Sequence, residues 1–238
     1  MDIFYWPVME ILIWGFLSVY IDKLQLGGLN VVTVLLGAIV FWVLLDQSQK
    51  AVSIAFLEEV WEKNLLNIFV TPLTVSEFLT STIFVGLIRI ILAALVMIPL
   101  AFFLYSFNLF TLGLYLIPFV AILLLFGWTL GLFSTAVILR FGTSAQIFAW
   151  GFIVLIQPFS AVFYPVSALP KFLQPLAYMI PSTYVFEGMR HVIALGTLPL
   201  RDLAFGFGST LFYAVLVVWF FATMFAQVKR TGRLLKLD

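Results

Sequence analysis

The chain is a succession of long apolar runs with few polar interruptions. Runs near 3–21, 29–50, 77–104, 111–138, 145–164 and 203–227 are apolar all around a helical wheel. A helix of about 20 such residues crosses the hydrocarbon of a bilayer. Backbone amides cannot stay unpaired there, which leaves helices or a closed barrel. A barrel shows alternating segments of about ten residues, and these runs are longer and do not alternate. The pattern predicts an all-α, polytopic membrane protein with six transmembrane helices. The connections 22–28 and 105–108 are short, so the helices they join are expected to be antiparallel neighbours.

Two stretches break the pattern. In 51–76 the apolar positions are Leu57, Val60, Trp61, Leu65, Ile68 and Phe69. The polar ones are Glu58, Glu59, Glu62, Lys63, Asn64 and Asn67. This is helical periodicity with one wet face. It predicts a short amphipathic helix over 58–70, stopped by Pro72, which cannot donate the next helical bond. Thr74-Val75-Ser76-Glu77 then reads as a capping box opening the third span. Such a helix either lies passively at the interface or offers a docking surface to a soluble partner. The second stretch, 165–202, carries Pro165, Pro170, Pro175, Pro181 and Pro199. It is too broken and charged to span, and too apolar for a free loop. Short helices dipping into the leaflet or packed on the bundle are expected, because irregular backbone at that depth needs protein cover. Ser182 is expected to cap one such helix running through Arg190. Glu187 and Arg190 are spaced to pair along it.

Composition sharpens this picture. Apolar residues make up 64% of the 238 and charged residues 10%, against roughly 45–50% and about 25% in soluble domains. The net charge of +1 comes without a basic stripe, so nucleic acid is not a partner. Zero cysteines exclude disulfides and thiolate sites. His191 is the single histidine, so no multi-histidine metal site forms. Nothing in the sequence gathers Ser182, His191 and Asp202 into a triad. No G-x-x-x-x-G-K-[ST] motif occurs, so the chain carries no P-loop and is not expected to be an enzyme in its own right. The opening residues lack the basic region and cleavage site of a signal peptide.

Charge also orients the chain. Lys229, Arg230, Arg233 and Lys236 fall in the tail, and Lys50, Lys63 and Arg140 fall on the same side. Lys23, Lys171, Arg190 and Arg201 fall opposite. The basic excess marks the cytoplasmic side, which puts both termini and 58–70 inside and 165–202 outside. Glu10, Asp46 and Arg89 lie within spans, where charge is costly and normally paired. At 1.5 Å per residue, Arg89 sits roughly 18–20 Å in from the cytoplasmic end and Glu10 roughly 10–12 Å. A long arginine bridges that difference, so Arg89 is expected to pair with Glu10 or Asp46. Gly127-Trp128-Thr129-Leu130-Gly131 is a G-x-x-x-G that admits a close helix, from this chain or from a second copy. Pro99, Pro118 and Pro158 predict kinks.

These residues carry a family resemblance. Phe163-Tyr164-Pro165-Val166-Ser167-Ala168-Leu169-Pro170 leads to Leu173-Gln174-Pro175-Leu176-Ala177-Tyr178. Ile180-Pro181-Ser182-Thr183-Tyr184 and Glu187-Gly188-Met189-Arg190 follow. This succession resembles the outer-face motif of ABC-2 type transporter permeases. The stretch from Glu58 to Asn67, with Thr71-Pro72-Leu73, resembles that family's cytoplasmic coupling region. Phe4-Tyr5-Trp6-Pro7-Val8-Met9-Glu10 is similar to its first span. The resemblance implies a single transmembrane domain over 1–238, placed multi-pass in a prokaryotic cell membrane. It implies a homodimer or heterodimer of permeases among membrane lipid, and a separate ABC ATPase chain that holds ATP and Mg. No cofactor is then bound by this chain. Glu58, Glu59, Trp61, Glu62, Lys63 and Asn64 would couple to the ATPase. Tyr164, Pro165, Leu169, Pro170, Pro181, Glu187 and Arg190 would form the extracellular gate helices.

The function so implied is ATP-driven export of an amphipathic, lipid-like, glycan or drug-like substrate. The alternatives are a membrane enzyme or a secondary transporter acting on lipophilic molecules. The first requires clustered His, Asp or Glu at one interface, and the second usually shows internal repeats; neither is evident. One departure stands out. The family usually has a basic amphipathic helix before its first span, whereas here Met1 leads directly into that span. A late start, with such a helix upstream, is the expectation.

Overall fold

The computed structural model describes residues 2–24, 31–64, 67 and 74–231. Among these residues every regular element is helical. The α-helices are α1 (Asp2–Lys23), α2 (Val31–Trp61), α3 (Val75–Tyr105), α4 (Leu116–Phe141), α5 (Gly151–Ile156), α6 (Gln174–Tyr178), α7 (Pro181–Leu195) and α8 (Leu200–Thr231). Short 3-10 helices cover Leu109–Tyr115, Gly142–Ala149, Gln157–Phe159 and Val166–Ala168. Among the described residues, five helical stretches are long and apolar enough to cross a membrane: Phe4–Lys23, Val31–Trp61, Val75–Tyr105, Leu109–Ala149 and Leu200–Val228. The outward faces of α1, α3 and α8 carry large apolar side chains, with Phe16 65%, Phe103 82% and Trp219 66% exposed. Apolar exposure on that scale belongs to a surface solvated by lipid rather than water. The protein is a multi-pass membrane protein.

α2 is the central helix and packs on α1, α3 and α4. Leu36, Ile39, Phe41 and Leu45 on it are fully buried. Its contact with α4 is made by the G-x-x-x-G. A Cβ on Gly127 would meet the Ser48 Cβ at 2.5 Å and the Leu45 carbonyl at 2.8 Å, and one on Gly131 would meet the Gln49 carbonyl at 2.6 Å. The absence of side chains there lets the two backbones approach. The motif thus serves packing within the chain. Gly86 does the same for α3, where a Cβ would sit 2.3 Å from the Cβ of Ala51.

α4 and α8 lie side by side and point the same way. Near their starts, Ile122 approaches Gly206; near their ends, the Arg140 guanidinium donates to the Gln227 side chain. Residues 122 and 140 are roughly 27 Å apart along a helix. The chain between α4 and α8 must therefore travel back the length of the bundle. It does so through 142–164, but not as the single helix expected for 145–164. Gly142–Ala149 is a 3-10 helix, Trp150 leaves helical geometry, and α5 lasts one and a half turns before a further 3-10 turn at Pro158. The break has its cause on the neighbouring helix. The Ala149 carbonyl accepts from Gln49 Nε2 at 2.9 Å and from Ser53 Oγ at 2.8 Å, both on α2.

Other boundaries shift for equally physical reasons. α2 does not end near 50 but continues to Trp61, because Val52, Phe56, Leu57 and Val60 remain buried against the bundle. Glu58–Trp61 is its last turn rather than the start of a separate helix, and positions 65, 66 and 68–70 of the expected 58–70 helix lie outside the described residues. The fourth run opens with a 3-10 helix that breaks at Gly113 (φ 56°), so α4 starts at Leu116 rather than 111. The capping box is present: the Glu77 amide donates to Thr74 Oγ1 at 3.3 Å and the Thr74 amide to Glu77 Oε2 at 2.7 Å.

Candidate functional site

The residues singled out by the sequence fall into three places: the C-terminal end of α2, the middle of the bundle, and the segment from 157 to α7.

At the end of α2, the Lys63 amide bonds to Val60 O at 3.1 Å and the Asn64 amide to Glu59 O at 3.0 Å. Lys63 takes the left-handed conformation, φ 54°. This paired pattern is the Schellman ending, which usually employs glycine at the left-handed position. The Asn64 side chain adds a bond to Glu59 Oε2 at 2.8 Å. The result is a firm blunt corner. Glu58, Trp61, Glu62 and Lys63 are exposed on it, while Glu59 and Asn64 are half-buried. The Trp61 ring sits 6.1 Å from that of Trp150, and its Nε1 donates to Gln146 Oε1 at 3.3 Å. The corner is thereby tied to the broken passage 142–164.

In the middle of the bundle, the expected Arg89 pair does not form. Asp46 Oδ2 instead receives Lys50 Nζ at 2.7 Å, one turn along α2. Glu10 faces the same cleft, and its Oε2 is buried without a partner. Arg89 is exposed on α3 and borders a smaller cleft with Glu59 and Gly86. α2 separates the two clefts: Asp46 and Lys50 line the first, while Ala51, Ala55 and Glu59 line the second. The reach of an arginine does not overcome being on another face of the helix. The i,i+4 spacing of Asp46 and Lys50 carried the signal for the pair that does form.

The sequence reading also missed Gln49. It is fully buried on α2, and its Nε2 reaches Ala149 O, Ser53 Oγ at 3.0 Å and Ser134 Oγ at 3.4 Å. These bonds join α2, α4 and the broken passage in one polar knot. No local motif advertises it; a lone glutamine in an apolar run is the signal available.

At the opposite end, α7 does not start on Ser182. Ile180 is its N-cap and Pro181 begins the helix, where the missing amide costs nothing. Ser182 is fully buried and its hydroxyl donates across to Ser160 Oγ at 3.0 Å. α7 runs past Arg190 to Leu195. His191 pairs with Thr197 at 3.1 Å, so Ser182 and His191 serve different partners. The Glu187–Arg190 pair forms at 3.0 Å. Glu187 Oε1 also accepts the Val166 amide at 2.8 Å, and Arg190 donates to the carbonyls of Ala161 and Val162. Ala161 is buried in the left-handed region, φ 53°. The pair thus clamps a strained turn onto α7. Burial draws the Arg190 guanidinium below its ordinary value, and the neighbouring Glu187 opposes that. Pro165 precedes the 3-10 turn Val166–Ala168, Leu169 and Pro170 follow it, and Tyr164 donates to Pro158 O.

These places lie along one bundle: an exposed polar corner, a polar cleft among apolar walls, and a clamped irregular segment at the far end. A family model described as ABC-2 type transporter matches residues 1–194. That span takes in α1 to α6, the broken passage and α7 almost to its end. No curated protein matches the chain in direct comparison. The matched stretch covers most of the molecule and contains the amphipathic corner, the cleft and the clamped segment, and with it the chain belongs to the ABC-2 type transporter family, as a permease component of an ABC transporter.

Proposed function

We propose that this permease exports an amphipathic cargo, in the lipid-like, glycan or drug-like range, and that a separate ABC ATPase subunit docked on the α2 corner drives it. The observation that carries the docking part is the exposed corner itself. Glu58, Trp61 and Glu62 project from a helix end held by two Schellman bonds. A push applied there is delivered to α2 as a unit rather than absorbed by a loop. The chain has no P-loop, so nucleotide with its Mg belongs to the partner. In this reading the corner and both termini are cytoplasmic in a cell membrane, two permeases pair as homodimer or heterodimer, and the segment from Tyr164 to Arg190 acts as the extracellular gate.

The test is co-purification from native membranes, with the recovered ATPase identified by mass spectrometry. Reversal of both Glu58 and Glu62 to Lys is expected to release the ATPase while the permease stays monodisperse. Unchanged assembly and unchanged ATP hydrolysis would remove the docking role from this corner.

A further inference from the structure

The cleft between α1, α2 and the broken passage has a volume of about 580 Å³, within the range of small-molecule sites, roughly 300–1,000 Å³. Its walls are mostly apolar and include Trp6, Trp150 and Val154; Glu10, Asp46 and Lys50 supply its charge. Lys50 is committed to Asp46 at 2.7 Å. That leaves Glu10 as a carboxyl whose Oε2 is buried with no donor. A buried carboxylate without a partner is costly and needs a counter-charge. The cation lining the cleft, Lys50, is bonded to Asp46, so Glu10, Asp46 and Lys50 together leave one negative charge in excess, and Arg89 borders another cleft on a different face of α2. Aromatic side chains lining a cleft that also holds an unpaired carboxylate suit a diffuse organic cation, which gains from both.

We propose that this cleft binds the cationic head of an amphipathic cargo, with Glu10 as its counter-ion and Trp6 and Trp150 as aromatic walls. The inference rests on the exporter reading, since it names a class of cargo. A hydrated metal ion fits the walls poorly, because apolar and indole surfaces cannot replace its water. A bulky quaternary or delocalised cation sheds its water cheaply. Asp46 contributes little to selection while Lys50 holds it. The exposed rim at Trp6 gives the ligand a way in.

The experiment uses the purified full chain in maltoside micelles without the ATPase, so binding is read separately from coupling. Radiolabelled tetraphenylphosphonium is measured by equilibrium dialysis, with empty micelles subtracted. Tetraphenylborate, of the same size and opposite charge, is the companion probe. Saturable binding of the cation is expected, with the anion weaker by about tenfold or more. Glu10→Gln should weaken the cation by about tenfold or more, and Trp150→Leu by several-fold. Asp22→Asn, at the other end of α1, should leave binding unchanged. Cation binding equal to that in empty micelles, equal affinity for both ions, or full cation affinity in Glu10→Gln would each overturn the proposal. If Glu10→Gln fails to fold, the comparison of the two ions on the unaltered protein decides alone. An ATPase that co-purifies while the cation does not bind sinks the cargo class and leaves the exporter reading standing. Selective cation binding with no ATPase recovered leaves the cation site in the cleft standing, counts against the exporter reading, and makes the ion a ligand of the cleft rather than a cargo.

Discussion

Single residues set the two ends of the bundle by different means. Thr74 and Glu77 satisfy each other's amides where α3 begins. Thr74→Ala removes the acceptor and is expected to lower the midpoint of thermal unfolding in detergent by about 2–4 °C. Glu187 does more, because one carboxylate oxygen serves both the Val166 amide and the buried Arg190 guanidinium. Glu187→Ala leaves the Val166 amide without its acceptor and the Arg190 charge without its counter-ion, although Arg190 keeps the Ala161 and Val162 carbonyls, and is expected to cost about 2 kcal/mol or more. Glu187→Gln keeps an acceptor and should fall between the two, so the order of midpoints checks the clamp. Both features were legible as sequence: a capping box is a four-residue pattern, and an i,i+3 pair is one turn. Ser182 and Arg89 were not, and the reason is the same for both. Each was assigned by proximity in sequence or depth, whereas the deciding quantity is which face of a helix meets which neighbour. For Ser182 that neighbour is Ser160, in a turn brought alongside by the tertiary fold.

At the scale of elements, the long helices follow directly from apolar runs, but the passage 142–164 does not. Its composition is that of a span, and periodicity cannot tell a straight helix from a broken one. What breaks it is the capture of the Ala149 carbonyl by Gln49 and Ser53, a contact across about a hundred residues. Gln49→Leu is expected to loosen that knot, raising hydrogen–deuterium exchange across 145–153 while α3 is unaffected. The junction of α2 with α4 is stiffer. Gly131→Ala places a methyl 2.6 Å from the Gln49 carbonyl, a backbone atom that cannot turn aside. Such overpacking costs about 1–3 kcal/mol, visible as a lower midpoint. The same substitution at Gly208, where a Cβ would meet nothing within 4 Å, should be neutral or slightly stabilising, which makes it the matched control.

For the whole molecule, α2 is the structural axis. Its 31 residues span about 46 Å at 1.5 Å each. It carries the exposed corner at its end, the Gln49 knot and the Asp46–Lys50 pair along its length, and core contacts near its start. In the exporter reading, that continuity is how ATP binding at one end reaches the cleft. The absence of cysteine makes this directly measurable, because one introduced thiol is the only label site in this chain when it is labelled before the ATPase is added. With Val154→Cys carrying an environment-sensitive fluorophore at the cleft, ATP added to the assembled transporter is expected to change its emission. Introducing glycines at Ile54 and Ala55 weakens the helix by about 1 kcal/mol each between corner and cleft. The ATPase should still co-purify with that variant, while the ATP-driven emission change is reduced or lost. If the change persists at full size with α2 softened, the rod is not the route, and the contact of Trp61 with Trp150 becomes the path to cut next.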